Sequence, residues 1–560
     1  MKTVEYRKPW AFLDSYRGKE FKGEWPCIPE LLHITALRFP ERQAFRAFEP
    51  DEQYSYRELE EIVKGIAGYL QMDGVKPGDK LGVIGHNSPS WMFAYFATLY
   101  AGAVIVPLDN TLHIDELEHF MEFGGVSRLF CSDARAKALE KDGRLPMKRY
   151  RLETLKELQA PYSPLPLGDE DALASILFTS GTTGTPKGVM LTHKNLVSDC
   201  LLTQGNILIT ENDVIYAVLP LHHAYTMQAV VYMAISTGGS VVFGKKLAMS
   251  RIKVELKEGK VTMLMAVPML YNKILAGLMR GVKEKSKVLY ALIRFLMWVS
   301  GILKRMGLNV GKKWFSFLLE KVSLENIRVC ISGGGPLAVS TFRMYQQLGI
   351  DFVQGYGLTE ASPITHLNPL EAFRLGSVGR KHPGEEVKIM DPDSDGNGII
   401  CIKGPMVMKG YYNNPEATEE VLTEDGWLNT GDVGHQDADG YLYLTGRAKS
   451  VIVTEGGKNV FPEEIEDKFQ LYGEIEQICV IKYMANKERL SEGIAAVIVP
   501  QDRTGDRKAA EERISQIVDE VNRSLQSCKR ITKVIISYDK LPMTSTSKVK
   551  RNEVQALYDD

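Results

Sequence analysis

Cysteine is sparse in this chain, and its spacing pairs none of it. Seven cysteines are scattered over 560 residues, from Cys27 to Cys528, with no C-x-x-C among them. An odd, dispersed set argues against a disulfide framework or a cysteine-rich metal site and fits a reducing compartment. An excess of either charge is also missing: 68 Lys and Arg stand against 70 Asp and Glu, a formal net charge of −2. No global basic surface advertises a nucleic-acid partner. Long hydrophobic runs are lacking too. The opening MKTVEYRKPWAFLDSYRGKEF has no apolar segment of the kind a secretory signal needs. The most apolar stretch, residues 288–303, is too short to span a bilayer and is interrupted by Arg294. What is present is ordinary: 44% hydrophobic and 25% charged residues, the balance of a globular protein long enough for several domains.

The N-terminal half alternates short apolar runs with helical stretches. Residues 81–84 read as a strand, Ser90 is placed to cap a helix running to Tyr100 with Gly102 as its stop, and residues 103–106 read as the next strand. Residues 213–219, 240–243, 261–267, 328–331 and 350–353 are further strands, the last two running into glycines. This alternation predicts an α/β fold of mostly parallel, doubly wound sheets, with ligands outside the carboxyl ends of the strands. The C-terminal end differs. Pro462, Glu463 and Glu464 open a helix, and residues 478–482, 494–499 and 531–538 read as strands. Ile514, Ile517, Val518, Val521 and Leu525 share one helical face. The expected organisation is a large domain, residues 1–446, and a small α+β domain, residues 447–560.

Residues 178–188 read FTSGTTGTPKG. That mixture suits a loop wrapped around an anion. Gly181, Gly184 and Gly188 let backbone N–H groups approach a ligand, while Thr179, Ser180, Thr182, Thr183 and Thr185 supply hydroxyls. Lys187 adds a positive point charge. A polyphosphate is the obvious ligand, and a solvated turn the plainer alternative. The stretch is not a G-x-x-x-x-G-K-[ST] loop, because Pro186 precedes the lysine and Gly188 follows it. The preceding apolar run, residues 172–178, reads as a buried strand.

Four other segments carry candidate groups. SGGGP at 332–336 either lets a flat ring lie against bare backbone or makes a tight turn. QGYGLTEASP at 354–363 offers Tyr356 as a stacking face, Thr359 as a hydroxyl and Glu360 as a hard oxygen for Mg²⁺. Taken alone, a buried tyrosine and a surface glutamate explain that segment as well. GWLNTGDVG at 426–434 sets Asp432 among small residues, where a carboxylate can accept two ribose hydroxyls or close an Asx turn. LPMTSTSKVKR at 541–551 carries Lys548, which by itself reads as a solvated lysine.

In this order the segments resemble the adenylate-forming superfamily of acyl-CoA synthetases, luciferases and nonribosomal adenylation domains. The resemblance runs from about Tyr54 to Arg551 through FTSGTTGTPKG, QGYGLTE, WLNTGD, YLTGRAK, GGKNVFPEEIE and the lysine of P-x-T-x-x-x-K. It implies a two-step reaction: a carboxylate attacks the α-phosphate of ATP to give acyl-AMP and pyrophosphate, then a thiol attacks the acyl carbon and AMP leaves. It implies that the loop from Thr179 to Lys187 holds the β- and γ-phosphates. Thr179 and Glu360 are the implied Mg²⁺-linked pair, Gly334, Gly355 and Tyr356 the adenine wall, and Gly357 a further nucleotide-binding position. Thr359 is the implied α-phosphate donor, Asp432 and Arg447 the ribose clamp, and His223 the residue beside the substrate carboxylate. Lys548 is the implied adenylation lysine, Lys449 the hinge of a mobile lid, and Gly456 and Gly457 the turn past which CoA's pantetheine runs. Two positions depart from the usual pattern: Ser547 stands where glycine precedes the terminal lysine, and Ser450 where an acidic residue follows Lys449. Neither removes a charged group that the chemistry needs.

An apolar insertion between residues 271 and 325 resembles that of long-chain fatty acyl-CoA ligases, and a tunnel for an apolar chain gains roughly 0.8 kcal/mol per buried CH₂. Met227 falls where some such relatives place a tunnel gate; core packing is the other reading. Leu289, Leu292, Leu296, Val299 and Leu303 share a helical face followed by Lys304, Arg305, Lys312 and Lys313. That face either packs on the large domain or anchors at anionic lipid. The expectation is a long-chain fatty acid–CoA ligase, cytoplasmic or peripheral at the inner face of a membrane, using ATP, Mg²⁺ and CoA. Transfer to the phosphopantetheine of a separate carrier protein, and a non-catalytic nucleotide- or lipid-binding role, are the alternatives.

Overall fold

A computed structural model describes residues 8–143, 147–179, 187–245, 248–454, 458–486, 491–503, 505–544 and 549–558. Two large sheets dominate it. The first runs from Asp51–Ser55 at one edge through Gln43–Phe48, Ser240–Phe243, Val214–Ala217, Met263–Ala266 and Val329–Ser332 to Asp351–Gly357. From Gln43–Phe48 onward these strands pair in parallel. Several are apolar and buried along their whole length, as strands covered on both faces must be.

At Asp351–Gly357 the sheet changes character. Its other neighbour, Ile364–Leu367, is antiparallel, and so are the strands beyond it, from Gly379–Lys381 and Tyr441–Arg447 to Leu428–Gln436, Gly398–Lys403 and Glu386–Met390. The expected parallel sheet is thus joined edge to edge with an antiparallel one. Strands broken up by glycine and polar residues, such as LNTGDVGHQ over Leu428–Gln436, carry no continuous apolar run, which is why the sequence did not announce them. The second large sheet has parallel strands Lys148–Arg151, Val126–Cys131, Lys80–Ile84, Val104–Leu108 and Leu173–Thr179, with Lys187–Thr192 and Gly410–Tyr411 added antiparallel at one edge.

The helix Pro89–Tyr100 is buried on every face. Its cap is Ser88, whose hydroxyl accepts from the Trp91 N–H at 3.2 Å, and not Ser90. Pro89 takes the first helical position, so the capping residue must precede it. Gly102 follows at φ +74°, as its role of stop requires.

Toward the C-terminus, Ile475–Asn486, Ser491–Pro500 and Lys533–Ile536 form a three-stranded sheet flanked by Pro462–Glu466, Arg507–Ser524 and Arg551–Tyr558. The last strand is shorter than the 531–538 expected. Ile514, Ile517, Val518 and Val521 pack inward from the middle helix as their spacing predicts, in a hydrophobic cluster drawn from residues 452–531. Gln470 ties this unit to the rest: its amide oxygen accepts from the Ala338 N–H at 3.0 Å and the Asn272 amide at 3.1 Å. All seven cysteines are free, and every one except Cys528 is buried. Among the described residues no helix is long and apolar enough to cross a membrane.

Candidate active site

FTSGTTGTPKG straddles a hairpin. Thr179 and Lys187 are the last paired residues of two antiparallel strands, and the Thr179 hydroxyl lies 3.5 Å from the Lys187 carbonyl. Ser180, Gly181, Thr182, Thr183, Gly184, Thr185 and Pro186 lie outside the described residues. The flanks alone separate this arrangement from a strand–loop–helix phosphate loop, since the chain returns as a strand.

A second element closes on the hairpin. Gly410 and Tyr411 pair with Met190 and Val189, and the Met408 N–H donates to the Glu360 carbonyl at 2.8 Å. The Tyr411 hydroxyl donates to Glu360 Oε1 at 2.8 Å, and the Lys187 ammonium stands 4.7 Å from the centre of the Tyr411 ring. Tyr411 therefore links Lys187 to Glu360. It is a site residue that the sequence motifs do not mark. The only cue was an aromatic pair in KGYYNNP, and nothing in that pattern tells a positioning tyrosine from a packed one.

Met263–Ala266, Val329–Ser332 and Asp351–Gly357 all point their carboxyl ends at one cavity. Gly334, Gly355, Tyr356, Gly357 and Thr359 line it, and so does His223. The cavity thus lies where the sheet changes from parallel to antiparallel, at the strand ends where open α/β sheets bind ligands. The glycines of SGGGP do different jobs. Gly334 sits at φ +78°, whereas a Cβ on Gly333 would lie 3.0 Å from the Tyr225 ring of the protein itself. At Gly357 a Cβ would fall 1.6 Å from the Pro363 carbonyl oxygen, so no side chain fits there.

Tyr356 is buried and makes a polar contact. Its hydroxyl donates to Asp432 Oδ2 at 2.7 Å, while Arg447 Nε forms an ion pair with Asp432 Oδ1 at 2.7 Å. Burial drives the Tyr356 phenol well above its ordinary value, and the Asp432 charge adds to this, so it stays a donor. Burial opposes the Arg447 charge, but Asp432, then Tyr356, Glu360 and Glu463, outweigh it and raise that group. Asp432 and Arg447 sit opposite each other across Leu428–Gln436 and Tyr441–Arg447. Lys449 follows in a single turn, Ala448–Ser450. Lys548, Gly456 and Gly457 lie outside the described residues.

His223 precedes a helix whose Met227–Tyr232 portion is π-helical. Burial, and then the neighbouring His222 with its ring 4.1 Å away, push the His223 imidazole down to about 3 against a weaker pull from Asp109. It is uncharged at neutral pH. The remaining wall is apolar and includes Ile207, Ile209, Ala229, Met233 and Met265. Met227 is not part of it; that side chain is buried in the core, and Met233 and Met265 are the methionines that face the cavity. Among the described residues no cluster of three metal-ligating side chains occurs. Glu360 and the Thr179 hydroxyl each offer hard oxygen, the ligand type Mg²⁺ takes beside substrate phosphates.

Known proteins resemble this chain in sequence and in fold. The chain is 30% identical to a feruloyl-CoA synthase of an Amycolatopsis species, over 96% of this chain and 99% of that one. It is 27% identical to the chloroplastic long-chain fatty acid–acyl-carrier-protein ligase AEE15 of Arabidopsis thaliana, over 100% of this chain and 89% of that one. Among solved structures, ATP-bound MatB from Rhodopseudomonas palustris superposes with a TM-score of 0.76 at 26% identity, covering 94% of this chain and 99% of that one. Residues 32–412, which include the hairpin, His223 and the whole Gly334–Glu360 wall, match the AMP-binding enzyme family, and the chain belongs to that family.

Proposed function

We propose that the protein is an AMP-forming fatty acid–CoA ligase acting on long acyl chains. One observation carries this reading: a single cavity is lined by the Gly334–Thr359 wall and by the apolar side chains of Ile207, Ile209, Met233 and Met265, with neutral His223 on the same surface. An uncharged imidazole can orient a carboxylate by hydrogen bonding without neutralising the charge that makes it a nucleophile. In the first step a carboxylate oxygen forms a bond to the α-phosphorus of ATP and pyrophosphate leaves with the bonding pair. In the second, CoA's thiolate bonds to the acyl carbon and AMP leaves.

Within that scheme the hairpin with Thr179 and Lys187 grips the β- and γ-phosphates, Thr359 donates to the α-phosphate, and Asp432 with Arg447 reads the ribose. Thr179 and Glu360 hold Mg²⁺, which supplies charge neutralisation at the phosphates. Lys548 belongs to a lid, residues 447–560, that pivots at Lys449 to serve the first step and brings Gly456 and Gly457 to CoA for the second.

The long-chain assignment is supported by relatives named as long-chain fatty acid ligases, among them one of Gallus gallus at 30% identity over 69% of this chain and 56% of that one. A second reading is an aromatic acid, favoured by the 30% identity to feruloyl-CoA synthase over nearly the whole of both chains. The test is a panel of acids from C8 to C18 plus ferulate, each supplied with ATP, Mg²⁺ and CoA, or with a carrier protein in place of CoA. AMP and an acyl-CoA of a long-chain acid are expected. Release of ADP and orthophosphate would overturn the adenylation scheme. A clear preference for ferulate would move the substrate to the aryl class, and thioester on the carrier alone would change the acceptor.

A further inference from the structure

The helix Lys287–Arg305 packs on the wrong side for its composition. It meets the protein through Ile293, Met297 and Ser300, all buried. The opposite face carries Val288, Leu292, Phe295, Trp298 and Ile302, with Val288 79% exposed, Phe295 57%, Trp298 56% and Leu292 51%. Positions 288, 292, 295, 299, 302 and 306 advance by four and three residues in turn, so they form one continuous stripe along the helix. Trp298 borders the stripe, its ring 6.0 Å from that of Phe295. Leu308, Trp314 and Phe317, just after the helix, are exposed as well. Soluble proteins rarely leave so much contiguous apolar surface in water without a use for it.

The charge around the stripe identifies what covers it. Between Arg280 and Lys321 the chain carries ten Lys or Arg and two Glu, a net charge of +8 in a chain whose total is −2. Two of these bases are turned inward: Lys304 pairs with Asp351 at 2.9 Å, and Lys312 donates to the Ile327 carbonyl at 2.9 Å. Lys283, Lys285, Lys287, Arg294, Arg305 and Lys313 are exposed. A second copy of the chain would bring two basic rims together, whereas an anionic bilayer surface satisfies both the apolar stripe and the rim. Tryptophan is also the side chain best suited to the headgroup boundary.

We propose that the Val288–Leu292–Phe295–Trp298–Ile302 face lies in the headgroup region of a membrane bearing anionic lipid and seats the enzyme there. The helix is not apolar enough to span, with Lys287, Arg294, Lys304 and Arg305 along it; it lies in the plane of the interface. The inference rests on the fatty-acid reading for what is collected at the surface, and on the exposed face alone for the docking. The helix packs against Pro268–Lys285 and Val339–Gln347, and the latter follows directly from the SGGGP loop of the cavity wall, so the docked face belongs to the same body as the acyl site.

Sedimentation of the full-length protein with phosphatidylcholine vesicles, with and without phosphatidylserine, tests this. Partition into the phosphatidylserine vesicles is expected, falling as salt rises, with a blue shift of tryptophan emission. The double variant Leu292→Glu/Trp298→Glu should weaken partition at least about tenfold, since burying one such side chain already exceeds that factor. Arg294→Glu/Arg305→Glu should flatten the salt dependence. All four positions are exposed, so unchanged thermal unfolding serves as the control. Failure to partition at low salt, or equal partition of the first double variant, overturns the proposal. So does a wild-type dimer that this variant converts to monomer without any vesicle binding, because a second copy would then be the occupant. Vesicle binding without AMP formation from any fatty acid would sink the functional reading and leave this surface standing.

Discussion

Replacing Asp432 with asparagine separates a ribose clamp from a structural ion pair. In the structure one carboxylate oxygen accepts from the Tyr356 hydroxyl and the other is ion-paired with Arg447, each at 2.7 Å. The Arg447 side chain is half exposed, so the ion pair adds at most about 1 kcal/mol to folding. Asparagine keeps the size and one acceptor, and the fold should tolerate it. Nucleotide binding should not. Hydrogen bonds to a charged group are roughly twice as strong as neutral ones, so two ribose hydroxyls should lose about 1 kcal/mol each. A total of about 2 kcal/mol is roughly a 30-fold rise in KM for ATP. The assay is pyrophosphate exchange at varied ATP, with 2′-deoxy-ATP in parallel and calorimetric unfolding as the control. Wild type should discriminate against the deoxynucleotide and Asp432→Asn should not. Tyr356→Phe, which removes one support of the carboxylate but none of its charge, should cost about 1 kcal/mol, near fivefold. A change of less than threefold in KM for Asp432→Asn, or unchanged discrimination against 2′-deoxy-ATP, would refute the clamp.

Three other outcomes follow from the same structure. Lys548→Ala should cut adenylation steeply while thioester formation from supplied acyl-AMP largely persists; equal loss of both half-reactions, measured separately, would remove the lid assignment. Glu360→Gln should raise the Mg²⁺ concentration for half-maximal adenylation by at least about tenfold, and an unchanged Mg²⁺ titration would show the carboxylate to be structural. His193 is buried, with Nδ1 accepting from the Ile28 N–H at 3.2 Å, and burial pushes it down to about 4. Because the folded value lies below the unfolded value of about 6.5, the neutral ring's stability contribution is complete above pH 6.5. It erodes as pH falls toward 4, by about 1.4 kcal/mol per unit. His193→Gln should therefore flatten the dependence of unfolding temperature on pH across that window, and an unaltered slope would contradict the burial argument.

The sequence disclosed most of the cavity wall and little of what holds it. Glycine clusters after apolar runs marked the ends of Val329–Ser332 and Asp351–Gly357, because a strand that runs into glycine is a local pattern. Tyr411 was invisible because its role comes from pairing with Lys187–Thr192, more than 200 residues away in the chain. The antiparallel half of the large sheet was missed for another reason: glycine and polar residues break up its strands, as in LNTGDVGHQ over Leu428–Gln436, so no apolar run marks them. Helical periodicity correctly placed Ile514, Ile517, Val518 and Val521 inward. At residues 287–305 the pattern was read too narrowly. The periodicity singles out Leu289, Leu292, Leu296, Val299 and Leu303, while Ile293 and Met297 do the packing and the apolar surface extends across Phe295 and Trp298. When a helix is apolar on most of its circumference, spacing alone cannot tell which side finds a partner.

Asp432 and Arg447 face each other at the very end of their shared ladder, and the chain leaves the sheet immediately afterward. Whatever swing the C-terminal unit makes about Lys449 begins downstream of that last rung. Under the proposed scheme, with the pivot at Lys449 rather than at Arg447, a nucleotide held by Asp432 and Arg447 would stay in place while the rest of the C-terminal unit exchanged the tools presented to it.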